Sequence, residues 1–252
     1  MKELVIDKAG KLGIHLTDEQ ADRFVRYYEL LIEWNEKVNL TAVTDKDEVA
    51  VKHFEDSLAL VMLRDNDIVK RIVKGESVKL IDIGTGAGFP GLPLKIAFPN
   101  IKLTLLDSLN KRINFLNEVV NELGLKDVET LHGRAEDFAK PGEGREKYDL
   151  AVSRAVANMS SLSEYCIPYV KKGGYFIAYK SEEYAKGPEK EEAMKAIKVF
   201  GGELTEVKEY RLPDSDLFRC FAVVKKKEPT PKKYPRKAGT PTKDPIKIEQ
   251  GR

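Results

Sequence analysis

The stretch Val78-Lys79-Leu80-Ile81-Asp82-Ile83-Gly84-Thr85-Gly86-Ala87-Gly88-Phe89-Pro90-Gly91 decides the fold. Its first half is an apolar run of strand length, its second a glycine-rich turn, and Pro90 suits the first turn of a helix. Glycines at a strand–turn–helix junction let the backbone approach a bound nucleotide-like group where a Cβ would collide. Asp107 ends the next strand-like run, about twenty residues on, where a carboxylate can accept from a ribose diol. Alone, the segment leaves two readings open. Gly86-Ala87-Gly88-Phe89-Pro90-Gly91 also satisfies the dinucleotide pattern, and a glycine turn can be no more than a tight turn.

Downstream, strand-like and helical runs alternate. Strands are expected at 78–83, 102–106, 127–132, 150–153 and 175–179, with helices at 92–97, 111–123, 159–170 and 184–200. Such alternation with short connections predicts an α/β fold, a doubly wound parallel sheet with helices on both faces. Residues 203–211 and 217–226 read as two strands joined by Leu212-Pro213-Asp214-Ser215-Asp216, with no helix between them, so they should pair as a C-terminal antiparallel hairpin.

Upstream, residues 1–75 read as a small helical cap. Thr17-Asp18-Glu19-Gln20 has capping-box spacing, and Phe24, Tyr27, Tyr28, Leu31, Ile32 and Trp34 recur on one helical stripe. A second helix from about Asp47 would put Val51, Phe54, Leu58, Val61 and Met62 on one side. The expected organisation is thus a cap at 1–75, a Rossmann-like catalytic domain at 76–227 and a basic, proline-rich tail at 228–252.

The chain has 252 residues, 42% of them hydrophobic, with 43 Lys and Arg against 41 Asp and Glu and only two cysteines. That length and composition suit a packed globular protein, with no apolar run near the ~18 residues of a membrane helix. Cys166 and Cys220 have no partner at metal or redox spacing, so no metal site is expected and a reducing cytoplasm is the expected compartment. The near-neutral balance hides an asymmetry: from Lys225 to Arg252 ten basic residues face three acidic ones, a net +7 that leaves −5 on the rest. Such a tail either contacts phosphates through Lys and Arg or is a solvated extension.

Three features favour S-adenosylmethionine over a nicotinamide. Asp82 stands two positions before the first glycine, where an ammonium could be held directly or through water. Gly133-Arg134-Ala135-Glu136-Asp137 offers a polar edge for an adenine ring, and a parallel core closed by an antiparallel hairpin suits methyltransferases better than dehydrogenases.

Over nearly its whole length the chain resembles the small-subunit ribosomal RNA methyltransferase G family, also called glucose-inhibited division protein B. The motifs that carry the resemblance are Glu33-Trp34-Asn35, Asn39-Leu40-Thr41, His53-Phe54-Glu55-Asp56-Ser57-Leu58, the glycine segment itself, Leu106-Asp107-Ser108-Leu109-Asn110-Lys111-Arg112, Ser153-Arg154-Ala155 and Tyr234-Pro235-Arg236-Lys237. The resemblance implies a class I methyltransferase sheet and methylation of N7 of a guanine in small-subunit (16S) ribosomal RNA near the decoding region. It also implies residue roles. Asp82, Gly84, Gly86, Gly88 and Phe89 would line the cofactor site, Asp107, Ser108 and Leu109 would meet the ribose side, and Ala135 and Glu136 would flank the adenine. Arg154 would face the cofactor or a target phosphate, and Lys232, Lys233, Arg236 and Lys237 are the tail's candidates for RNA contact.

The absences are informative. Ser153-Arg154-Ala155 stands where an Asn/Asp-Pro-Pro-aromatic motif for exocyclic amines would stand, and no Pro-Cys or Thr-Cys nucleophile for carbon-5 methylation is present. Cys166 and Cys220 read as core. Guanine N7 has an available lone pair and needs no deprotonation, so no general base is expected and placement supplies most of the rate. His53 and Asp56 have the spacing of a bond between neighbouring helical turns, and His15 and His132 read as incidental. The expected partners are small-subunit rRNA or the assembled subunit, approached by a monomer. Removing the tail is expected to weaken RNA association and to leave cofactor affinity intact. The competing readings are a non-enzymatic RNA-binding assembly factor and a nicotinamide-dependent oxidoreductase.

Overall fold

The computed structural model describes residues 1–247. The chain opens with helices α1 (Lys2–Lys11) and α2 (Asp18–Val38). The capping box closes as expected: Thr17 Oγ1 accepts from the Gln20 N–H, and Gln20 Oε1 accepts from the Thr17 N–H. The Gln20 amide also donates to the carbonyls of Ile96 and Ala97, so the same side chain caps the end of a distant helix. The expected second helix is not uniform. A short α3 (Lys46–Val49) runs into a π turn (Ala50–Glu55), then α4 (Asp56–Leu58) and a 3-10 turn (Ala59–Met62), before α5 (Asp67–Val73).

The remainder alternates as predicted: β1 (Val78–Ile83), α6 (Gly91–Ala97), β2 (Ile101–Asp107), α7 (Asn110–Glu122), β3 (Val128–His132), α8 (Ala135–Phe138), β4 (Tyr148–Arg154), α9 (Met159–Cys166) and β5 (Val170–Ser181). Then come α10 (Glu182–Lys186), α11 (Glu189–Val199), β6 (Gly202–Arg211), β7 (Phe218–Lys226) and α12 (Thr240–Lys243). The helix expected at 184–200 is two, because Gly187-Pro188 breaks it. The helix expected at 159–170 ends early, and Val170 already belongs to β5.

The sheet order is β3-β2-β1-β4-β5-β7-β6, parallel through β5 and antiparallel at the hairpin. Alternation along the strands feeds two cores. Leu80, Leu103, Leu150 and Ile177 face one side, while Ile81, Leu106, Ala151 and Phe176 face the other. The first core also contains Val5 and Ala9 of α1, Phe24 and Tyr27 of α2 and Phe115 of α7, so the N-terminal helices are an outer layer of one continuous core. Chain order reverses between β1 and β4. In an open parallel sheet, that reversal leaves a crevice at the strands' C-terminal ends.

Candidate cofactor and methyl-acceptor site

The β1–α6 turn lies at that crevice, with Gly84, Gly86 and Gly88 all at positive φ. Their tasks differ. A Cβ on Gly86 would meet nothing within 4 Å, so this glycine faces open space. A Cβ on Gly88 would come within 2.4 Å of Leu92 and 2.7 Å of the Tyr27 hydroxyl, which makes Gly88 a packing glycine between α6 and α2 rather than part of the groove wall. At Gly84 the obstructing group is Val156, 2.5 Å from the ideal Cβ.

Asp82 also departs from its expected place. It is fully buried beneath the turn, where Oδ2 accepts from Thr85 Oγ1 at 2.7 Å and from the Gly91 N–H at 2.8 Å. It ties the turn to α6 and lines neither lobe of the groove. Its Oδ1 is buried without a protein partner, and burial pushes the carboxyl up to about 6.

Asp107 closes the turn from β2. Its Oδ2 accepts from the Gly86 N–H (2.9 Å) and Arg112 Nη1 (3.2 Å), and its Oδ1 from the Leu109 N–H (2.9 Å). The carboxylate is therefore held rigid at the groove floor before any ligand arrives. Leu109 serves through its backbone, since its side chain is 43% exposed and lies outside the groove lining.

The groove has two lobes sharing Gly84, Asp107, Ser108 and Val156. The larger, about 490 Å³, is walled by Leu106, Gly133, Arg134, Ala135, Glu136, Asn158, Tyr165 and, from the far end of the chain, Gly239 and Thr242. The smaller, about 350 Å³, is walled by Thr41, His53, Gly86, Phe89, Arg112 and Arg154. Val156 sits between them on a loop whose Ala155 holds a left-handed φ of 56°.

In the smaller lobe, His53 stacks on Phe89 with ring centroids 4.5 Å apart, and the Arg154 guanidinium lies 5.2 Å from the same ring. Arg154 Nη1 donates to Asp56 Oδ2 (2.8 Å) and to the Lys52 carbonyl (3.0 Å). The expected His53–Asp56 bond is absent from the geometry. The π turn instead points both toward Arg154, and His53 Nε2 lies 2.9 Å from Thr41 Oγ1. Burial and the charge of Arg154 bring the His53 pKa down to about 4, so its imidazole is neutral at physiological pH. Asn35 Oδ1 accepts from the N–H groups of Leu40 and Thr41 and so presents Thr41 to the lobe.

The tail does not behave as a loose basic arm over its described part. Arg236 donates to Glu164, which is 1% exposed, through its backbone N–H (2.7 Å) and its guanidinium (2.7 Å), so it is an anchor rather than a phosphate contact. Lys226 is buried, with its amine on the carbonyls of Ile167 and Phe200. Lys232, Lys233 and Lys237 are exposed. Cys166 and Cys220 are buried, as expected. Thr41, Val156, Asn158, Tyr165, Gly239 and Thr242 were given no role from the sequence. Thr41 alone had a signal, its motif.

A family model described as rRNA small subunit methyltransferase G matches residues 20–217. The ribosomal RNA small subunit methyltransferase G of Alkaliphilus metalliredigens is 50% identical over 98% of this chain and 99% of its own length. That of Lachnoclostridium phytofermentans is 52% identical over 93% of each. Among solved structures, MtNAS in complex with MTA and tNA aligns with a TM-score of 0.51 at 15% identity, over 81% of this chain and 74% of that one. That last likeness is one of fold. No helix among the described residues is long and apolar enough to cross a membrane.

Proposed function

The chain belongs to the rRNA small subunit methyltransferase G family, and from that premise we propose that the two-lobed groove binds S-adenosylmethionine and presents N7 of a guanine in small-subunit (16S) ribosomal RNA to its methyl group. The chain is an S-adenosylmethionine-dependent rRNA methyltransferase. The observation that carries the assignment of the site is the shared floor of the two lobes. Asp107 on that floor is a carboxylate already fixed by three donors, and next to it, in the smaller lobe, Gly86 leaves room that any side chain would fill.

The residues fit the cofactor's parts. Gly133, Ala135 and Glu136 would enclose the adenine in the larger lobe, with Asp107 and Ser108 toward the ribose. Gly84, Gly86 and Phe89 would border the path into the smaller lobe. When bound, the cofactor supplies an electrophilic methyl group on a sulfonium. The protein's own task is then to hold a planar base in the smaller lobe with N7 aimed along the groove.

Phe89 and His53 offer an aromatic wall, and Arg154 is held beside it by Asp56. N7 attacks as a neutral lone pair, so rate comes from orientation and from excluding water rather than from proton removal. In A-form RNA the N7 edge lies in a deep, narrow groove that side chains enter poorly. The target is therefore an unpaired or distorted guanine, presented by rRNA or by the small subunit.

Titration calorimetry with S-adenosylhomocysteine beside NADH tests this reading. Micromolar binding of the first alone, followed by mass mapping of one 7-methylguanine in 16S rRNA, is the expected result. Binding of NADH alone would overturn it in favour of an oxidoreductase. Binding of neither would return the chain to the role of an RNA-binding assembly factor.

A further inference from the structure

The basic tail turns back across the molecule and passes through the wall of the larger lobe at Gly239 and Thr242. Thr230 begins the return: its N–H donates to Glu146 Oε1 at 2.7 Å. Arg145 then holds the segment by donating to the carbonyls of Pro231 (3.1 Å) and Tyr234 (2.8 Å). Tyr234 packs edge-on against Phe200, with centroids 4.9 Å apart, and Arg236 is locked onto the buried Glu164.

The chain next crosses α9. Ser161 Oγ donates to the Pro241 carbonyl at 2.8 Å, and the Tyr165 and Thr242 hydroxyls are paired at 2.5 Å. Between these anchors Gly239, at φ 83°, donates its N–H to Glu136 Oε1 at 2.8 Å. Glu136 is 5% exposed and its Oε2 has no donor among the described residues, so one oxygen is spent on the strap and the other remains able to accept. Gly239 and Thr242 themselves line the same lobe as Leu106 and Asp107.

A segment that served only to meet RNA would have no reason to bring a left-handed glycine and a threonine into this cavity, nor to bond a buried carboxylate in its wall. We infer that residues 228–247 are a strap that completes the cofactor site. It walls the adenine end with Gly239 and Thr242, and Gly239 is a positioning residue that fixes Glu136 through its N–H. The inference rests on the S-adenosylmethionine reading of the groove and reverses the expectation that the tail is dispensable for cofactor binding.

The test uses a chain ending at Lys237. It keeps the Arg236–Glu164 anchor and the Thr230 contacts but loses Gly239, Pro241 and Thr242. The full chain and the shortened chain are titrated with S-adenosylhomocysteine and with 5′-methylthioadenosine. The expected result is a tenfold or greater loss of affinity in the shortened chain, by the same factor for both ligands, since both carry the adenosine. Equal affinity in the two chains, or tighter binding by the shortened one, would overturn the strap's role.

Should the shortened chain fail to melt cooperatively, trypsin cleavage after Lys237 and Lys243 of the full chain decides the matter. Both ligands should slow it, and homocysteine should not. Unchanged cleavage would count against the inference. Failure of the full chain to bind either ligand would instead remove the cofactor reading, and the strap's role with it.

Discussion

At the scale of single residues, the site separates glycines that look alike in the sequence. Gly86 and Gly88 sit two apart with the same sign of φ, yet one faces the groove and the other faces Leu92 and Tyr27. Gly86→Val should therefore abolish S-adenosylhomocysteine binding, by more than a hundredfold. Backbone strain at positive φ should lower stability by only about 1–2 kcal/mol. Retained affinity in calorimetry would remove Gly86 from the site. His53 supplies a second prediction. With its pKa at about 4, it does not change protonation between pH 6 and 8, so single-turnover methyl transfer should show no limb assignable to His53 in that range. A step centred near the ordinary histidine value, and lost in His53→Gln, would mean that the imidazole is less buried than the geometry gives.

At the scale of elements, the π turn is where periodicity misled. The apolar spacing of Phe54, Leu58 and Val61 is helical and all three are buried, but the turn Ala50–Glu55 is wound more widely than an α-helix. Its residues answer to tertiary partners: His53 to Thr41 and Phe89, Glu55 to Lys8 of α1. Glu55 is fully buried with both carboxylate oxygens lacking hydrogen bonds, and burial raises its pKa to about 7 despite Lys8 nearby.

The sign follows from proton counting. Between the unfolded value and about 7 the folded state binds more protons than the unfolded chain, so this group's contribution to stability falls as pH rises through that window. Glu55→Gln should flatten that fall and leave the variant more stable at pH 8 by about 1–3 kcal/mol, a gain of several degrees in Tm relative to wild type. Parallel Tm profiles for the two proteins from pH 4.5 to pH 8 would exclude a proton held at Glu55.

At the scale of the whole molecule, both ends of the chain contribute to the groove beside the central sheet. The N-terminal helices share the core of one sheet face, and their loop presents Thr41 to the smaller lobe. The C-terminal segment does the equivalent for the larger lobe. The strap's exposed lysines, Lys232, Lys233 and Lys237 among them, are its groups placed to meet phosphate. Replacing Lys232, Lys233 and Lys237 together by Ala should reduce the slope of log affinity for rRNA against log salt by about 2, and leave S-adenosylhomocysteine affinity unchanged. An identical salt slope would confine RNA binding to other surfaces.

Much of the fold was legible because its determinants are local. Strand β1, the glycine turn and α6 follow from an apolar run, positive-φ glycines and Pro90 within fourteen consecutive residues. Asp107 follows from strand register, and the hairpin from two strand runs with no helix between them. The capping box needs only Thr17 and Gln20. The site's remaining parts join segments far apart in the chain: Arg154 with Asp56, Thr41 with His53 across a π turn, Gly239 with Glu136. No periodicity marks such pairs. They form because burial in the packed chain leaves a carboxylate, a guanidinium or an N–H that must find a partner, and only the assembled layers bring the partner within reach. For that reason Arg236 read as a candidate for RNA contact in the sequence and folds as the strap's anchor on the buried Glu164.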